Sequence, residues 1–166
     1  MVQDRNEVIL IAKRQGIFTY DGANWGKVEV PGIPQKLVLL EDAGQVLVAL
    51  SGEFGKLELD PTGKYSYSRL LENSQVDHNF TDILIGKEHV FFYSPTAVFM
   101  ADLSLETTPY QLKDEGDAIY DGAFVFGSRF FIKKATGALD ILYEDSIIAL
   151  PTRPFLADEQ VLFSIE

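Results

Sequence analysis

Cysteine is missing from the chain, and only two of its 166 residues are histidine. Without thiols the protein has no disulfide, no thiolate metal ligand and no cysteine nucleophile. No window approaches eighteen consecutive apolar residues, so no transmembrane helix is predicted. The first seven residues, MVQDRNE, lack the basic start and apolar core of a signal peptide. A cysteine-free chain suits the cytoplasm and an oxidising periplasm equally, so these absences do not locate the protein.

Basic residues are also scarce, because 14 lysines and arginines face 25 aspartates and glutamates, for a formal charge of −11. A chain this acidic repels phosphate backbones, and no run of basic residues offsets the balance. Nucleic acid is therefore excluded as a partner, and no membrane contact is expected from this region. The apolar fraction of 46% is ordinary for a globular protein, and the length suits one domain.

What fills the chain is a series of short apolar runs bounded by turn residues, which is typical of β-strands. The clearest runs are residues 8–11, 37–40, 46–50, 82–85, 90–93, 124–126 and 130–132. Almost no segment keeps a helical apolar stripe over three turns. The sequence therefore predicts an all-β protein.

The stretch GIFTYD at residues 16–21 recurs as GEFGKLELD at 52–60, TAVFMADL at 96–103 and TGALDILYED at 136–145. The apolar anchors of these four stretches are Phe18, Phe54, Phe99 and Leu139. Each stretch follows another apolar strand and precedes a more polar one. A unit of four antiparallel strands at a period of about 40 residues is typical of a β-propeller blade.

The predicted fold is a single propeller-like domain of about four four-stranded antiparallel blades. The approximate blades are residues 1–34 with 155–166, 35–74, 75–113 and 114–154. The inner strands are apolar on both sides, as strands packed between neighbouring blades should be, whereas a β-sandwich, the alternative, favours strict alternation.

Strand order leaves two assemblies open. The chain starts with VILIAK, which resembles the second strand of a blade, and ends with DEQVLFSIE, which resembles an innermost strand. If the last strand pairs with VILIAK, the result is a closed four-bladed ring, expected to be a monomer. If the blades are part of a larger propeller, the exposed edges predict a homodimer or a heavier species.

Several of these runs carry a family resemblance. GIFTYDGANWGKVEVP, VLLEDAGQVLVALSGEFGKLELDPTGKYSYSRLL and FTDILIGKEHVFFYSPTAVFMAD are similar to the two-component regulator propeller repeats of bacterial sensor proteins, especially from Bacteroidetes. The resemblance covers nearly the whole chain. It implies a periplasmic or extracellular sensor domain that precedes a membrane span and an output module, neither of which occurs in this sequence.

The histidines offer little catalytic chemistry. A Ser-His-Asp arrangement could recruit Ser74, His78 and either Asp77 or Asp82, but no nucleophile elbow surrounds a serine. His78 and His89 fall in different blades, without the spacing of a zinc site. Surface histidines near turns are the favoured interpretation.

Acidic residues recur in the predicted turns. They are Asp21, Asp42, Asp60, Asp77, Asp82, Asp114, Glu115, Asp117, Asp121 and Asp145. Two of them could act as a glycosidase pair. Residues 114–122, DEGDAIYDG, superficially resemble a calcium loop but lack its spacing and its bidentate glutamate. The favoured interpretation is that aspartate and glycine serve the turns themselves.

Aromatic side chains are the remaining candidates, since they could stack on sugar rings. The candidates are Trp25, Tyr20, Tyr65, Tyr67, Tyr93, Tyr110 and Tyr120. For Trp25 we expect packing between blades.

No catalytic, cofactor-binding or metal-binding residue is assigned from the sequence, no cofactor is expected, and the ligand-binding residues are unknown. The leading hypothesis is a non-catalytic sensory or ligand-binding domain of a bacterial signalling protein, with a small molecule such as a carbohydrate, or a protein, as its partner. The alternatives are a small carbohydrate hydrolase or lyase with paired Asp or Glu residues, and a protein-interaction scaffold.

Overall fold

The computed structural model describes residues 1–71, 78–114 and 119–150. The regular structure of these residues is entirely β, arranged as four sheets that follow one another along the chain. Each sheet contains an antiparallel meander of four strands, which confirms the predicted all-β architecture. In the described part of the chain, no helix is long and apolar enough to cross a membrane.

The strands have the following bounds. The first sheet holds β1 (Val2–Gln3), β2 (Ile9–Lys13), β3 (Gly16–Tyr20) and β4 (Trp25–Val28). The second holds β5 (Pro34–Leu40), β6 (Gln45–Leu50), β7 (Phe54–Leu59) and β8 (Tyr65–Arg69). The third holds β9 (Asp82–Ile85), β10 (His89–Ser94), β11 (Ala97–Asp102) and β12 (Tyr110–Gln111). The fourth holds β13 (Lys113–Asp114), β14 (Tyr120–Phe126), β15 (Arg129–Lys134), β16 (Leu139–Tyr143) and β17 (Ser146–Ala149).

The fourth sheet carries one strand more than expected. The short strand β13 runs parallel to β17, with Lys113 opposite Ser146 and Asp114 opposite Ile147. Because β13 follows the last strand of the third sheet almost directly, the chain joins the third and fourth sheets at their outer edge before it enters β14.

In the first sheet, the N-terminal strand β1 pairs with β2. Val2 pairs with Leu10 and Gln3 pairs with Ile9, in antiparallel register. The sequence predicts that residues 155–166 pair with β2 in this blade, and those residues lie outside the described ones. The apolar side chain of Val2 packs against the core between the first two sheets, which holds β1 in place.

Three apolar clusters hold the four sheets together, one between each consecutive pair. The first joins Leu10 and Ile17 to Val48 of the second sheet. The next lies between the second and third sheets, and the last joins Tyr93 and Val98 of the third sheet to neighbours in the fourth. Among the described residues, no cluster joins the fourth sheet back to the first.

Tyrosine hydroxyls add polar links between neighbouring sheets. Tyr65 of β8 donates a hydrogen bond to the buried carboxylate of Asp4, which also accepts from the backbone N–H of Val8 at 2.7 Å. Tyr110 of β12 donates to Asp145 at 2.7 Å. Each bond joins the outermost strand of a central sheet to a turn of the adjacent terminal sheet.

Candidate functional site

A cleft of about 410 Å³ lies between the third and fourth sheets, where three hairpin turns meet at one end of the strands. The turns join β9 to β10, β14 to β15 and β16 to β17. Its lining residues are Gly86, Lys87, Glu88, His89, Phe91, Val125, Ser128, Arg129, Phe130, Leu142 and Glu144.

Two of these turns place a residue in the left-handed region. Gly127 has φ of 62° in the two-residue turn between Phe126 and Arg129, where glycine carries no steric penalty. Glu144 has φ of 52° in the turn between β16 and β17, although it carries a side chain. A non-glycine residue in this conformation costs on the order of 1–3 kcal/mol, and such residues concentrate at functional sites.

The floor of the cleft is aromatic and its rim is charged. The rings of Phe91 and Phe130 stack with 4.3 Å between centroids, which fixes the spacing of β10 and β15. The rim brings Lys87 and Arg129 together with Glu88 and Glu144. Within the described ranges none of these four charged side chains forms an ion pair, although seven ion pairs occur elsewhere. The rim can therefore bind charged and hydroxyl groups of a ligand.

The two histidines considered in the sequence analysis lie in different parts of the structure. His89 lines this cleft, with its ring 6.4 Å from that of Phe91. The Nδ1 atom of His78 lies 2.9 Å from Oγ1 of Thr96, beside the core between the second and third sheets. Ser74 and Asp77 lie outside the described residues.

Two of the predicted acidic turns, at Asp21 and Asp60, are confirmed as structural, and Asp102 lies in a third turn of the same kind. The carboxylates of Asp21, Asp60 and Asp102 accept hydrogen bonds from nearby backbone N–H groups or hydroxyls of their own turns. These bonds favour the ionised form, and they lower the pKa of all three carboxyls below the ordinary value. The largest cause of the lowered pKa of Asp21 is the hydrogen bond from the backbone N–H of Asn24. For Asp60 it is the hydrogen bond from the side chain of Thr62, and for Asp102 it is the one from the side chain of Ser104.

Of the remaining acidic candidates, Asp82, Asp121 and Asp114 each contact a neighbouring side chain. Asp82 forms an ion pair with Lys36 at 2.9 Å, and Asp121 forms one with Lys133 at 2.7 Å. In the segment that resembles a calcium loop, Asp114 accepts a hydrogen bond from Tyr120 at 2.6 Å, and residues 115–118 lie outside the described ones. In the described part of the chain, no group of three or more metal-ligating side chains is present.

Two carboxylates, those of Asp140 and Asp114, lie close to the ammonium group of Lys134. Its Nζ atom lies 2.6 Å from Oδ2 of Asp140, which is 1% exposed, and 3.7 Å from Oδ1 of Asp114. The contact with Asp140 is an ion pair rather than an aligned hydrogen bond, since both Asp140 oxygens lack a hydrogen bond of ordinary geometry among the described residues. The ammonium group of Lys134 contacts both acids, whereas a glycosidase pair needs one protonated carboxyl that can donate its proton to the substrate.

The aromatic candidates divide between core and surface. Tyr93 and Tyr120 are buried between the third and fourth sheets. Trp25 is 65% exposed and tilts against Tyr20 at 4.9 Å between centroids, on the side of the first sheet that faces away from the second. The expected packing of Trp25 between blades is therefore not found among the described residues, because no described sheet follows on that side.

Sequence reasoning missed most of the cleft. Lys87, Arg129 and Glu144 are isolated charged residues in hairpin turns, and a single sequence gives no sign that the three turns meet. The one available signal was the Glu144–Asp145 turn itself, because a two-residue hairpin loop without glycine or asparagine is unusual.

Neither a protein-family model nor a curated protein sequence matches this chain. Solved structures do match it. The extracellular domain of BT4673 from B. thetaiotaomicron, described as a one-component and also as a hybrid two-component system, aligns over 93% of this chain with a TM-score of 0.62 at 9% identity. The chain spans 22% of the length of that extracellular-domain chain. Virginiamycin B lyase from Staphylococcus aureus aligns over 92% of this chain and 54% of its own, with a TM-score of 0.63 at 12% identity.

PorZ, a surface component of the type-IX secretion system of Porphyromonas gingivalis, aligns over 87% of this chain and 21% of its own, with a TM-score of 0.55 at 10% identity. At such low identities, the similarity concerns the fold alone. The predicted propeller fold is thereby confirmed, and the resemblance to sensor propellers is supported at the level of that fold.

Proposed function

We propose that this chain is a non-catalytic ligand-binding propeller domain of a bacterial signalling protein, and that its ligand occupies the cleft between the third and fourth sheets. The observation that carries the proposal is the rim of unpaired charges above the Phe91 and Phe130 rings. Unpaired charges gain more from a ligand than charges that must first break an ion pair.

The rim suggests the chemistry of the ligand. Lys87 and Arg129 suit a carboxylate, while Glu88 and Glu144 suit hydroxyl groups as hydrogen-bond acceptors. A small acidic saccharide combines both kinds of group, and it fits a cleft of about 410 Å³. A location outside the cytoplasm is part of the same proposal, and the extracellular domain of BT4673 supports it by its fold.

The proposal is tested by isothermal titration of the chain with short uronic-acid oligosaccharides and with their neutral counterparts. We expect the acidic sugars to bind and the neutral ones to bind at least about tenfold more weakly, the effect of one lost charge-assisted hydrogen bond. Arg129→Ala should weaken binding of the acidic ligand by a similar factor. Lys64→Ala serves as the matched control, because Lys64 lines a different cleft of similar volume between the first and second sheets.

Absence of binding, or binding that Arg129→Ala and Lys87→Ala leave unchanged, contradicts the proposal. The hydrolase or lyase alternative predicts instead that a bound oligosaccharide is cleaved, which chromatography of the same mixtures detects. The scaffold alternative predicts no saccharide binding at all.

A further inference from the structure

The turn between β16 and β17 carries one carboxylate of the cleft on a strained backbone. Tyr143 pairs with Ser146, so Glu144 and Asp145 form a two-residue hairpin loop. Glu144 occupies the first loop position with φ of 52°, where glycine is the usual residue. The loop between β14 and β15 does have a glycine at that position, Gly127, with φ of 62°. The chain therefore keeps a strained residue in one turn of the cleft, whereas a neighbouring turn avoids the strain.

A strained turn persists where its surroundings hold it in place. Here the contacts come from the two short strands β12 and β13. The hydroxyl of Tyr110, at the start of β12, donates a hydrogen bond to Oδ1 of Asp145 at 2.7 Å. The backbone N–H of Lys113 in β13 donates to the carbonyl oxygen of Asp145, with 3.3 Å between nitrogen and oxygen. Asp145 is therefore held through both its side chain and its main chain.

These contacts lie at the boundary between the third and fourth sheets. Tyr110 pairs with Met100 of the third sheet, whereas Lys113 pairs with Ser146 of the fourth. Leu112, between them, is buried in the core that the two sheets share. The cleft lies along the same boundary. The two contacts therefore set the position of the Glu144–Asp145 turn relative to the third-sheet side of the cleft.

We infer that Tyr110 is a positioning residue for the ligand cleft, because its hydrogen bond to Asp145 holds the turn that presents Glu144 to the ligand. The inference rests on the proposed function. It concerns a residue on the outermost strand of the third sheet, outside the lining of the cleft. Tyr110 acts on binding through the turn and makes no contact with the ligand itself.

The physical advantage of this arrangement is that Glu144 is placed before the ligand arrives. A side chain on a turn that is already fixed loses less conformational freedom when it binds. The hydrogen bond is available over a wide range of pH, because burial, and then the bond to Asp145, raise the pKa of the Tyr110 hydroxyl to about 12. Tyr110 therefore remains a donor at neutral pH.

A second pair of the same kind supplies a matched control. Tyr65, at the start of β8, donates a hydrogen bond to the carboxylate of Asp4 in a turn of the first sheet. That turn also contains a glutamate in the left-handed region, Glu7, with φ of 63°. Tyr65 lines the other cleft, between the first and second sheets, so its hydrogen bond serves a different part of the array.

The first test is amide hydrogen exchange in the ligand-free chain. In Tyr110→Phe, the N–H of Lys113 should exchange at least about fivefold faster, because the turn that accepts its hydrogen bond is no longer held. Tyr65→Phe should leave Lys113 unchanged. It should instead speed the exchange of Val8, whose N–H donates to Asp4 at 2.7 Å. Unchanged exchange of Lys113 in Tyr110→Phe overturns the inference.

The second test is isothermal titration of the same variants with a uronic-acid oligosaccharide. Tyr110→Phe should weaken binding by about fivefold, the effect of one lost hydrogen bond. Tyr65→Phe should bind within about twofold of the original chain. Asp145→Asn keeps an acceptor oxygen for the tyrosine hydroxyl, so it should also bind within about twofold.

A double-mutant cycle separates positioning from general damage to the fold. In a Glu144→Ala background, Tyr110→Phe should weaken binding by less than about twofold, because the carboxylate that it positions is gone. An undiminished fivefold effect in that background would show that Tyr110 acts on binding by another route, and this overturns the inference.

The inference and the proposed function fail in different ways. If the original chain does not bind the oligosaccharide, the proposed ligand site is contradicted and, with it, the role of Tyr110 in binding. If the original chain binds and Tyr110→Phe binds equally well, the inference is overturned and the ligand site stands.

Discussion

The ring of Phe54 stacks on the ring of Phe92 across the second and third sheets, with 3.9 Å between centroids and 14° between ring planes. Both side chains are fully buried. Phe80 and Phe99 pack around Phe54 at 4.8 and 5.5 Å, so four aromatic rings fill the centre of this interface. The contact joins the second sheet to the third through fully buried aromatic rings.

Removing one of these rings should therefore be costly. Phe92→Ala should lower the free energy of unfolding by about 3–5 kcal/mol, from the lost transfer energy and the cavity that remains. Phe126→Ala is the control, because its ring is 76% exposed, and we expect a change within about 0.5 kcal/mol. Urea denaturation measures both. Similar losses for the two variants would contradict the assigned core.

The buried pair of Lys134 and Asp140 should behave differently when one partner or both are replaced. Asp140→Ala leaves the ammonium group partly buried without its nearest partner, and should destabilise the chain by about 2–3 kcal/mol. The double variant Asp140→Leu with Lys134→Met should recover most of that loss, because well-packed apolar side chains commonly replace buried ion pairs without penalty. Thermal unfolding of the single and double variants decides this, and a double variant no more stable than Asp140→Ala would refute it.

We expect Tyr93 to make the free energy of unfolding depend on pH in the alkaline range. Burial raises the pKa of its hydroxyl to about 12, with smaller contributions from the charges of Asp121 and Asp82. In the unfolded chain the same group ionises near its ordinary pKa of about 10, so the native state holds the proton more tightly. The stabilisation is complete below about pH 10 and is lost as the pH rises toward 12.

Tyr93→Phe removes that group and isolates its contribution from those of other tyrosines and lysines. The free energy of unfolding, measured by urea denaturation from pH 9 to pH 11.5, should fall less steeply for the variant than for the original chain. Parallel curves for the two proteins would show that Tyr93 does not carry the effect.

Glu144 should lower the stability of the fold and strengthen ligand binding. Glycine adopts φ of 52° without a steric penalty, so Glu144→Gly should raise the free energy of unfolding by up to about 1 kcal/mol. The same change removes a carboxylate from the rim of the cleft. Because this carboxylate accepts hydrogen bonds from the ligand's hydroxyl groups in the proposed complex, the affinity for an acidic saccharide should fall by about tenfold. Calorimetric unfolding and titration measure the two effects. A variant that is both less stable and fully competent in binding would contradict the role given to Glu144.

The fold was largely predictable because strand signals are local. Alternation and turn residues located the hairpins, and the apolar anchors Phe18, Phe54, Phe99 and Leu139 all fall in the third strand of a sheet. The side of the sheet to which each anchor points was less predictable. Phe54 and Phe99 point into the same cluster from opposite sheets, because strands that are apolar on both sides carry no signal for direction.

The short strands were harder to predict for a physical reason. β1 and β13 contain two residues each, and a pair of ladder contacts leaves no periodicity to detect. The cleft could not be predicted from the sequence either, because it depends on which turns meet in space. Asp21 and Asp60 were predicted correctly as turn residues, since their hydrogen bonds are made within a few positions of the sequence.

The most direct test of the proposed ligand site is a map of backbone amide chemical shifts during titration with a uronic-acid oligosaccharide. The account predicts the largest changes in the three turns of the cleft, at Lys87–His89, Ser128–Arg129 and Glu144–Asp145, with little change at Gly63–Tyr65 in the other cleft. Changes centred elsewhere, or none at saturating ligand, would contradict it.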